Sequence, residues 1–492
     1  MTGAHSDGSL YLAIDQGGHS SRALVFDAHG RIVARARQAI GVQRPRQGWV
    51  EQDAAALLQS VMMAVRSAIS DIAQQGLTIQ SAGLATQRSS VVCWDRESGQ
   101  ALSPVISWQD RRAHHWMHAF LPYNDEVHRL TGLFITAHYG ASKLRWCLDH
   151  IAAVRQAHDQ GRLCWGPLAS YLVYHLTREQ RNLIDPANAS RTLLWDIAGN
   201  DWHERLLQLF DIPRAPLPQC VTTVADYGTM EEHGMRIPLR AVMGDQPAAL
   251  MGYSEPAMDT AYINMGTGAF IQRPTGAQIT FVDRLLTGVV MITDDGPLYD
   301  LECTVNGAGS ALTKVEEQFG LDAQQAEAHF SQWLAQAQDP PLFLNGVSGI
   351  GSPYWVPDFQ TRFVGDAEPW EKVVAVAESI LFLLQVNLEQ LQAVSTPLCK
   401  LFLTGGLAMS DGLCQRLADL SGLPLFRPRE LEATARGVAY VLAGSPAQWR
   451  EHITGDWFYS ATNTALHARF QRWRQAMENA IAEHRQNAAP AE

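Results

Sequence analysis

The chain has no excess of positive charge. Its 38 lysines and arginines stand against 50 aspartates and glutamates, giving a formal net charge of −12 and a pI near 5.8. Nucleic acids and anionic membranes are bound through clustered cations, so this balance supplies no electrostatic footprint for either partner. Cysteine is also scarce: there are 7, at positions 93, 147, 164, 220, 303, 399 and 414. They form no CxxC pair and no His-rich metal spacing, which argues against a disulfide scaffold and reads as reduced, mostly buried thiols. Residues 1–10 lack the basic and apolar regions of a signal peptide, and no apolar run approaches membrane-spanning length. The expected compartment is the cytoplasm. No low-complexity linker interrupts the sequence, and 492 residues with 46% hydrophobic content are enough for two or more domains with their own cores.

Two glycine turns organise the chain. In the first, the apolar run Tyr11 to Ile14 meets Asp15-Gln16-Gly17-Gly18-His19-Ser20-Ser21-Arg22 and then the apolar run Ala23 to Phe26. In the second, Ala261 to Ile263 leads through Asn264-Met265-Gly266-Thr267-Gly268 into Ala269-Phe270-Ile271. Aligning the two turns puts Gly17 on Gly266 and Asp15 on Asn264. A glycine hairpin can turn its backbone N–H groups toward phosphate oxygens. A single one is usually only a turn, but a matched pair implies a duplicated domain that clamps a nucleotide.

The segments between the turns read as an α/β chain. Residues 31–40 form a third antiparallel strand, and Asp53 is placed to cap a helix running to about Gln75, where Gly76 stops it. Asp245 ends the strand Leu239 to Met243, at the position where open α/β sheets present residues to a crevice. The composition shift at Tyr253-Ser254-Glu255-Pro256 separates a first domain, 1–252, from a second, 253–445, and 446–492 reads as a helical C-terminal extension and tail.

Eleven stretches then occur in one order: DQGGHSSRALVFD, GWVEQD, TQRSS, ISWQDRRA, SKLRWCLDH, DPANASRTLLWDI, GDQPAALMG, NMGTGAF, VSGIGSPYWVP, LTGGLAMSDG and EATARGVAYVLAG. Together they make the chain resemble the FGGY family of carbohydrate kinases, and within it the glycerol kinases. The resemblance implies two actin-like (ribonuclease H-like) domains of the sugar kinase, heat-shock ATPase and actin superfamily, with an interdomain cleft. It implies transfer of the γ-phosphate of ATP to a hydroxyl of a polyol or sugar, with Mg2+ as the second cofactor. Asp245 matches the catalytic base, and Asp15 with Asp245 matches the metal side. Gly17, Gly18, His19, Ser20, Arg22, Gly266, Thr267, Gly309, Thr313, Gly406 and Ser410 fall on the nucleotide side. Arg88, Ser89, Trp108, His138, Asp245, Gln246 and Phe270 fall on the acceptor side. A homo-oligomer is compatible with this reading.

Each position also has a plainer one. Asp245 could serve only as a helix cap, Asp15 as a hairpin Asx turn, Arg22 as an exposed strand arginine and His138 as a packing residue. The chain also leaves the glycerol kinase pattern. Gly18 and His19 stand for two threonines, Thr313 and Ser410 for a glutamine and an asparagine, Ser89 for a glutamate and His138 for a tyrosine. A short uncharged serine in place of a buried hydrogen-bond acceptor weakens the expectation of glycerol itself. A nucleotide-binding sensor without phosphotransfer is the second reading, and a bare ATPase the third.

Overall fold

In a computed structural model, the structure describes residues 8–394, 396–429 and 432–488. Strand β1 (Leu10–Gln16) turns at the first glycine hairpin into β2 (Ser20–Asp27), and β3 (Ile32–Ala39) continues the antiparallel run. The next segment is helical because Asp53 accepts a hydrogen bond from the Ala56 N–H at 2.7 Å, opening α1 (Ala54–Gln74), whose apolar positions recur at helical spacing. Strand β4 (Ser81–Thr86) lies parallel to β1, and after a long excursion β5 (Val224–Glu232) and β6 (Met235–Gly244) complete a six-stranded sheet in the order β5-β6-β4-β1-β2-β3. Helix α2 (Asp245–Met251) follows β6 directly. The excursion holds several helices, among them Gly140–His150 and Leu168–Leu176, and three strands of a small four-stranded sheet whose fourth, Glu51–Gln52, precedes α1.

The second sheet repeats the plan. Strands β7 (Thr260–Met265) and β8 (Ala269–Gly276) form the second hairpin, followed by β9 (Leu286–Thr293), β10 (Gly296–Val305) and the helices α3 (Gly309–Gln318) and α4 (Pro369–Leu391). Strand β11 (Lys400–Thr404) pairs parallel with β7 as β4 does with β1. Then come α5 (Asp411–Ser421), β12 (Leu425–Pro428), α6 (Ala433–Leu442), β13 (Gly455–Phe458) and α7 (Thr464–Ala488). The order across the sheet is β9-β10-β8-β7-β11-β12-β13. The duplication read from the two hairpins is thus a duplication of whole sheets, which gives the two-domain α/β architecture expected from the sequence.

Each sheet has its own apolar core, and a third, smaller core joins them. It contains Tyr11, Ala13 and Phe26 of the first sheet, Ala248 and Leu250 of α2, and Val438 and Ala439 of α6. Helix α6 comes late in the chain yet packs on the first sheet. It crosses α2 so closely that a Cβ on Gly437 would lie 1.7 Å from the Ala248 carbonyl oxygen, so only glycine fits there.

The C-terminal segment departs from the all-helical expectation. β13 pairs antiparallel with β12 and so extends the second sheet, and α7 buries Phe470, Trp473 and Met477 in the second core. Trp449 reaches back to the first domain, stacking on Phe26 at 6.2 Å and donating to the Ala28 carbonyl at 2.9 Å. Residues 446–488 are therefore tied to both halves. Helices α1 and α4 are long and apolar enough to cross a membrane by length and composition, which corrects the expectation that nothing approaches that length. Continuous apolar runs were the wrong measure: α4 is the core helix of the second domain and carries the buried polar residues Glu378, Gln385 and Asn387. The thiols are all free, with Cys399 exposed, Cys220 half-buried and the other five buried.

Candidate active site

Both glycine turns lie where a β-hairpin meets the carboxyl end of a parallel strand. In the first, the Gly17 N–H bonds the Ser20 carbonyl at 3.0 Å, while the carbonyls of Gly18 and His19 are held by Gln52 Nε2 at 2.8 Å and the Ile40 N–H at 2.9 Å. His19 projects to solvent. In the second, the Gly266 carbonyl accepts from the Gly309 N–H at 2.9 Å, and the Thr267 carbonyl from the N–H groups of Ala308 and Ser310 at 3.1 and 3.0 Å. The second hairpin therefore docks on the start of α3. Thr313 spends its hydroxyl on the Gly309 carbonyl at 3.2 Å, and the Ser410 hydroxyl caps α5 at the Leu413 N–H. Gly406 is exposed at the end of β11.

Two carboxylates face each other across the ends of β1 and β6. Asp15 is 2% exposed. Burial pushes its pKa up to about 6, with Arg22 opposing and Asp245 and Glu432 adding to the rise. The Arg22 guanidinium lies 2.7 Å from Asp15 Oδ2 and donates to Glu432 Oε2 at 2.8 Å. Its charge is thus committed to two acids rather than standing open to a phosphate. Asp245 is the first residue of α2, and its Oδ1 accepts from the Gln246 N–H at 2.8 Å. Burial raises its pKa, and Arg88 is the first influence against that.

On the other side of Asp245, Arg88 donates to Gln246 Oε1 and to Glu302 Oε1, the latter at 3.0 Å. Arg191 closes on the same Glu302 carboxylate. Against the cost of burial, Arg191 and Arg88 hold Glu302 down to about 2. Two residues earlier on the same face of β10, Asp300 is pushed up to about 7 by burial and by Glu302, while Gln272 donates to its Oδ2 at 2.7 Å. A chain of amides fixes this wall. Gln87 donates to Gln52 Oε1 at 3.0 Å and to Gln16 Oε1 at 3.2 Å, and Ser90 donates to Gln87 and accepts the Trp108 N–H, both at 3.0 Å.

Ser89 is buried in a left-handed conformation with φ 62°, and its hydroxyl has no hydrogen-bond partner among the described residues. Trp108 meets His138 edge-on at 5.6 Å between ring centroids. His138 sits on a loop whose carbonyls at 137, 138 and 139 all receive the buried Lys143 ammonium. Phe270 is half-buried on β8, paired with Thr304 of β10 and Asn264 of β7. The structure thus gathers Arg88, Gln246 and Asp245 by direct contact, and Trp108 with His138. Thr313 and Ser410 are bound up in their own helices.

Sequence reasoning passed over Glu302, Arg191, Arg111, Lys143 and Glu432. One signal was available: Asp300 and Glu302 alternate inside an otherwise apolar strand, so both carboxyls face one side.

Residues 10–252 match the N-terminal domain, and residues 261–445 the C-terminal domain, of the FGGY family of carbohydrate kinases. A glycerol kinase of Acinetobacter baylyi is 33% identical over 490 residues, covering 96% of this chain and 99% of that protein. The crystal structure of Plasmodium falciparum glycerol kinase with ADP superposes with a TM-score of 0.86 at 24% identity, covering 97% of this chain and 99% of that one. A xylulose kinase from Rhodospirillum rubrum gives 0.84 at 18% identity, over 96% and 98% of the two chains. With both halves matched in order over nearly the whole length, the chain belongs to the FGGY family of carbohydrate kinases.

Proposed function

We propose that the protein transfers the γ-phosphoryl group of ATP to a hydroxyl of a polyol or sugar lodged beside Asp245. The observation that carries this reading is the position of Asp245 at the end of β6, with Asp15 on one side and the Arg88–Gln246 pair on the other. Asp245 takes the proton of the attacking hydroxyl as the new O–P bond forms and the bond from phosphorus to the ADP oxygen breaks. Burial raises its pKa, which makes the carboxylate a stronger base. Arg88 and Gln246 orient the acceptor, and Trp108 and Phe270 supply apolar faces for its carbon chain.

Asp15 and Glu432 share the guanidinium of Arg22, and Asp245 stands near Asp15 as a third acid, an excess of hard oxygen donors that fits a divalent cation. Asp15 and Asp245 would hold Mg2+, which neutralises phosphate charge when bound. Among the described residues no group of three or more His, Cys, Asp or Glu side chains forms a cage, so phosphate and water would complete its shell. The turns closed by the Gly17 and Gly266 N–H groups, on the Ser20 and Gly268 carbonyls at 3.0 and 2.9 Å, would present the backbone at Gly18, His19, Ser20 and Thr267 to the phosphates, with the strand and helix ends at Gly309, Thr313, Gly406 and Ser410 walling the adenosine.

The named relatives act on glycerol and xylulose, and Ser89 and His138 turn this acceptor site away from the glycerol pattern. The test is acceptor-dependent ADP formation across a panel of polyols and ketoses, with ATP binding measured in parallel. ADP release stimulated by an acceptor supports the reading. ATP binding with no response to any acceptor would replace it with a nucleotide sensor, and hydrolysis that no acceptor changes would replace it with an ATPase.

A further inference from the structure

Three histidines stand together on the surface of the first domain, and none of them belongs to the proposed acceptor or nucleotide residues. The segment His114-His115-Trp116-Met117-His118 forms a short helix, His114–Met117, that runs on into the 3-10 turn His118–Tyr123. Its inward side is apolar. Met117 is buried, and Trp116 packs edge-on against Phe120 at 4.6 Å and tilts on Phe210 at 6.3 Å. With that side anchored, the histidines are left toward solvent, His115 and His118 exposed and His114 half-buried. His114 and His118 are four residues apart, the spacing that puts two side chains on one helical face.

The rings meet one another closely. His114 Nε2 and His118 Nε2 are 3.1 Å apart, with ring centroids at 4.5 Å, and the His115 ring lies 5.7 Å from the first and 5.9 Å from the second. Two ring nitrogens this close do not both carry protons, so at least one presents a lone pair to its neighbour. An ion bonded to both at about 2.0–2.1 Å would make an N–metal–N angle of about 100°, between the octahedral and tetrahedral values. Imidazoles that share such an ion have centroids about 5 Å apart, so the first pair is at ligating distance and His115 stands about 1 Å outside it. Among the described residues no three such groups already form a cage, so His115 has to turn inward, which its exposure permits. Two charges from outside the cluster act on His114. Asp358, on a loop of the second half, favours a cation there, and Arg111 opposes one, although its guanidinium is turned to the Trp108 and Asp110 carbonyls at 3.3 and 3.5 Å.

We infer that His114, His115 and His118 form a binding site for a divalent transition ion of the Zn2+ class, with water completing its shell. Imidazole suits Zn2+, Ni2+ and Cu2+, whereas Mg2+ and Ca2+ take oxygen donors, so the ligand type selects the first group. The H-x-x-x-H spacing is the one that helical zinc sites use to bring two imidazoles onto one ion. The packed Trp116 and Met117 fix the backbone beneath the rings, so binding orders little more than the His115 side chain. The site is distinct from the Mg2+ position proposed at Asp15 and Asp245, and it stands whether or not the chain transfers phosphate.

The test is calorimetric titration of Zn2+ into chelator-stripped full-length protein, in excess Mg2+ so that sites built from oxygen donors are already filled. It is run beside two variants, one carrying His114→Gln together with His118→Gln and the other His115→Gln alone. The expected result is one Zn2+ per chain for the parent. Each variant should bind at least about tenfold more weakly, because even groups that touch a metal only through its ligands cost that much. A thermal measurement reads the same site independently. Zn2+ should raise the melting temperature of the parent, since it binds the folded chain, and should leave that of the double variant unchanged. With no metal added the variants should melt close to the parent, as the substituted rings lie on the solvent side. No Zn2+ bound by the parent, binding that either variant leaves unchanged, or an equal thermal gain in parent and double variant would overturn the inference.

Discussion

Glu302, on β10 of the second sheet, accepts a hydrogen bond at 3.0 Å from Arg88, which belongs to the loop after β4 of the first. The carboxylate also receives Arg191, so one acid from the second half fastens two cations of the first. Replacing Glu302 by Gln would leave two buried guanidinium groups without a counter-charge. The expected loss is about 3–5 kcal/mol, the usual cost of removing one partner of a buried pair, read as a lower midpoint in denaturant. The folded pKa of about 2 lies below the ordinary 4.5. The stabilisation is therefore fully present above pH 4.5 and is lost as pH falls through about 2. A variant as stable as the parent at pH 7 would show that the contact does not hold the halves together.

Asp300 acts in the opposite direction. Its folded pKa of about 7 lies above the ordinary 3.8, so the unfolded chain releases the proton first and ionisation in the folded state is penalised. The penalty is absent below pH 3.8, grows as pH rises toward about 7 and is constant beyond it. Asp300→Asn removes the ionisation while keeping an acceptor for Gln272. It should raise the melting temperature at pH 8 and lose that advantage near pH 4. A variant that melts lower than the parent at pH 8 would contradict this.

The proposed adenosine wall depends on a close approach at Gly405. Its φ is 95°, and a Cβ would lie 2.4 Å from the Met265 carbonyl oxygen, where β11 ends beside the second hairpin. Gly405→Ala must strain the backbone or push the hairpin away. We expect a loss of about 1–3 kcal/mol together with a higher KM for ATP. Unchanged stability and unchanged KM would show that this junction does not shape the nucleotide site.

Gly18 offers the complementary gain. A Cβ there meets nothing within 4 Å, so Gly18→Thr should fold normally. The added hydroxyl restores a donor beside the phosphates and should lower the KM for ATP several-fold, with the melting temperature little changed. A KM that stays the same or rises would mean that the hairpin meets the phosphates through its backbone alone.

What the sequence disclosed and what it hid divide along range. The hairpins, the Asp53 cap, helix α1 and the position of Asp245 at a strand end were legible because turns, caps and periodicity are local signals. The proposed acceptor residues Arg88 and Gln246 came from motif order, and the structure joins them directly. The pairings that set the electrostatics were not legible. Arg88 meets Glu302 across 214 residues and Arg22 meets Glu432 across 410, separations that leave no local pattern. The return of α6 to the first sheet was hidden for the same reason. Its apolar face is written in the sequence, but the surface it covers is not. The strand Gly455–Phe458 was hidden by its length, since four residues between helical stretches carry too little periodicity to declare themselves.

The central claim is that Asp245 is the base in phosphoryl transfer from ATP. The most direct measurement is formation of the phosphorylated acceptor by Asp245→Asn, beside the parent, with ATP binding determined on the same preparations. Loss of product by at least about 100-fold, the lower end of what a positioned base contributes, with ATP still bound is the expected result. Near-parental product formation by the variant would contradict the claim.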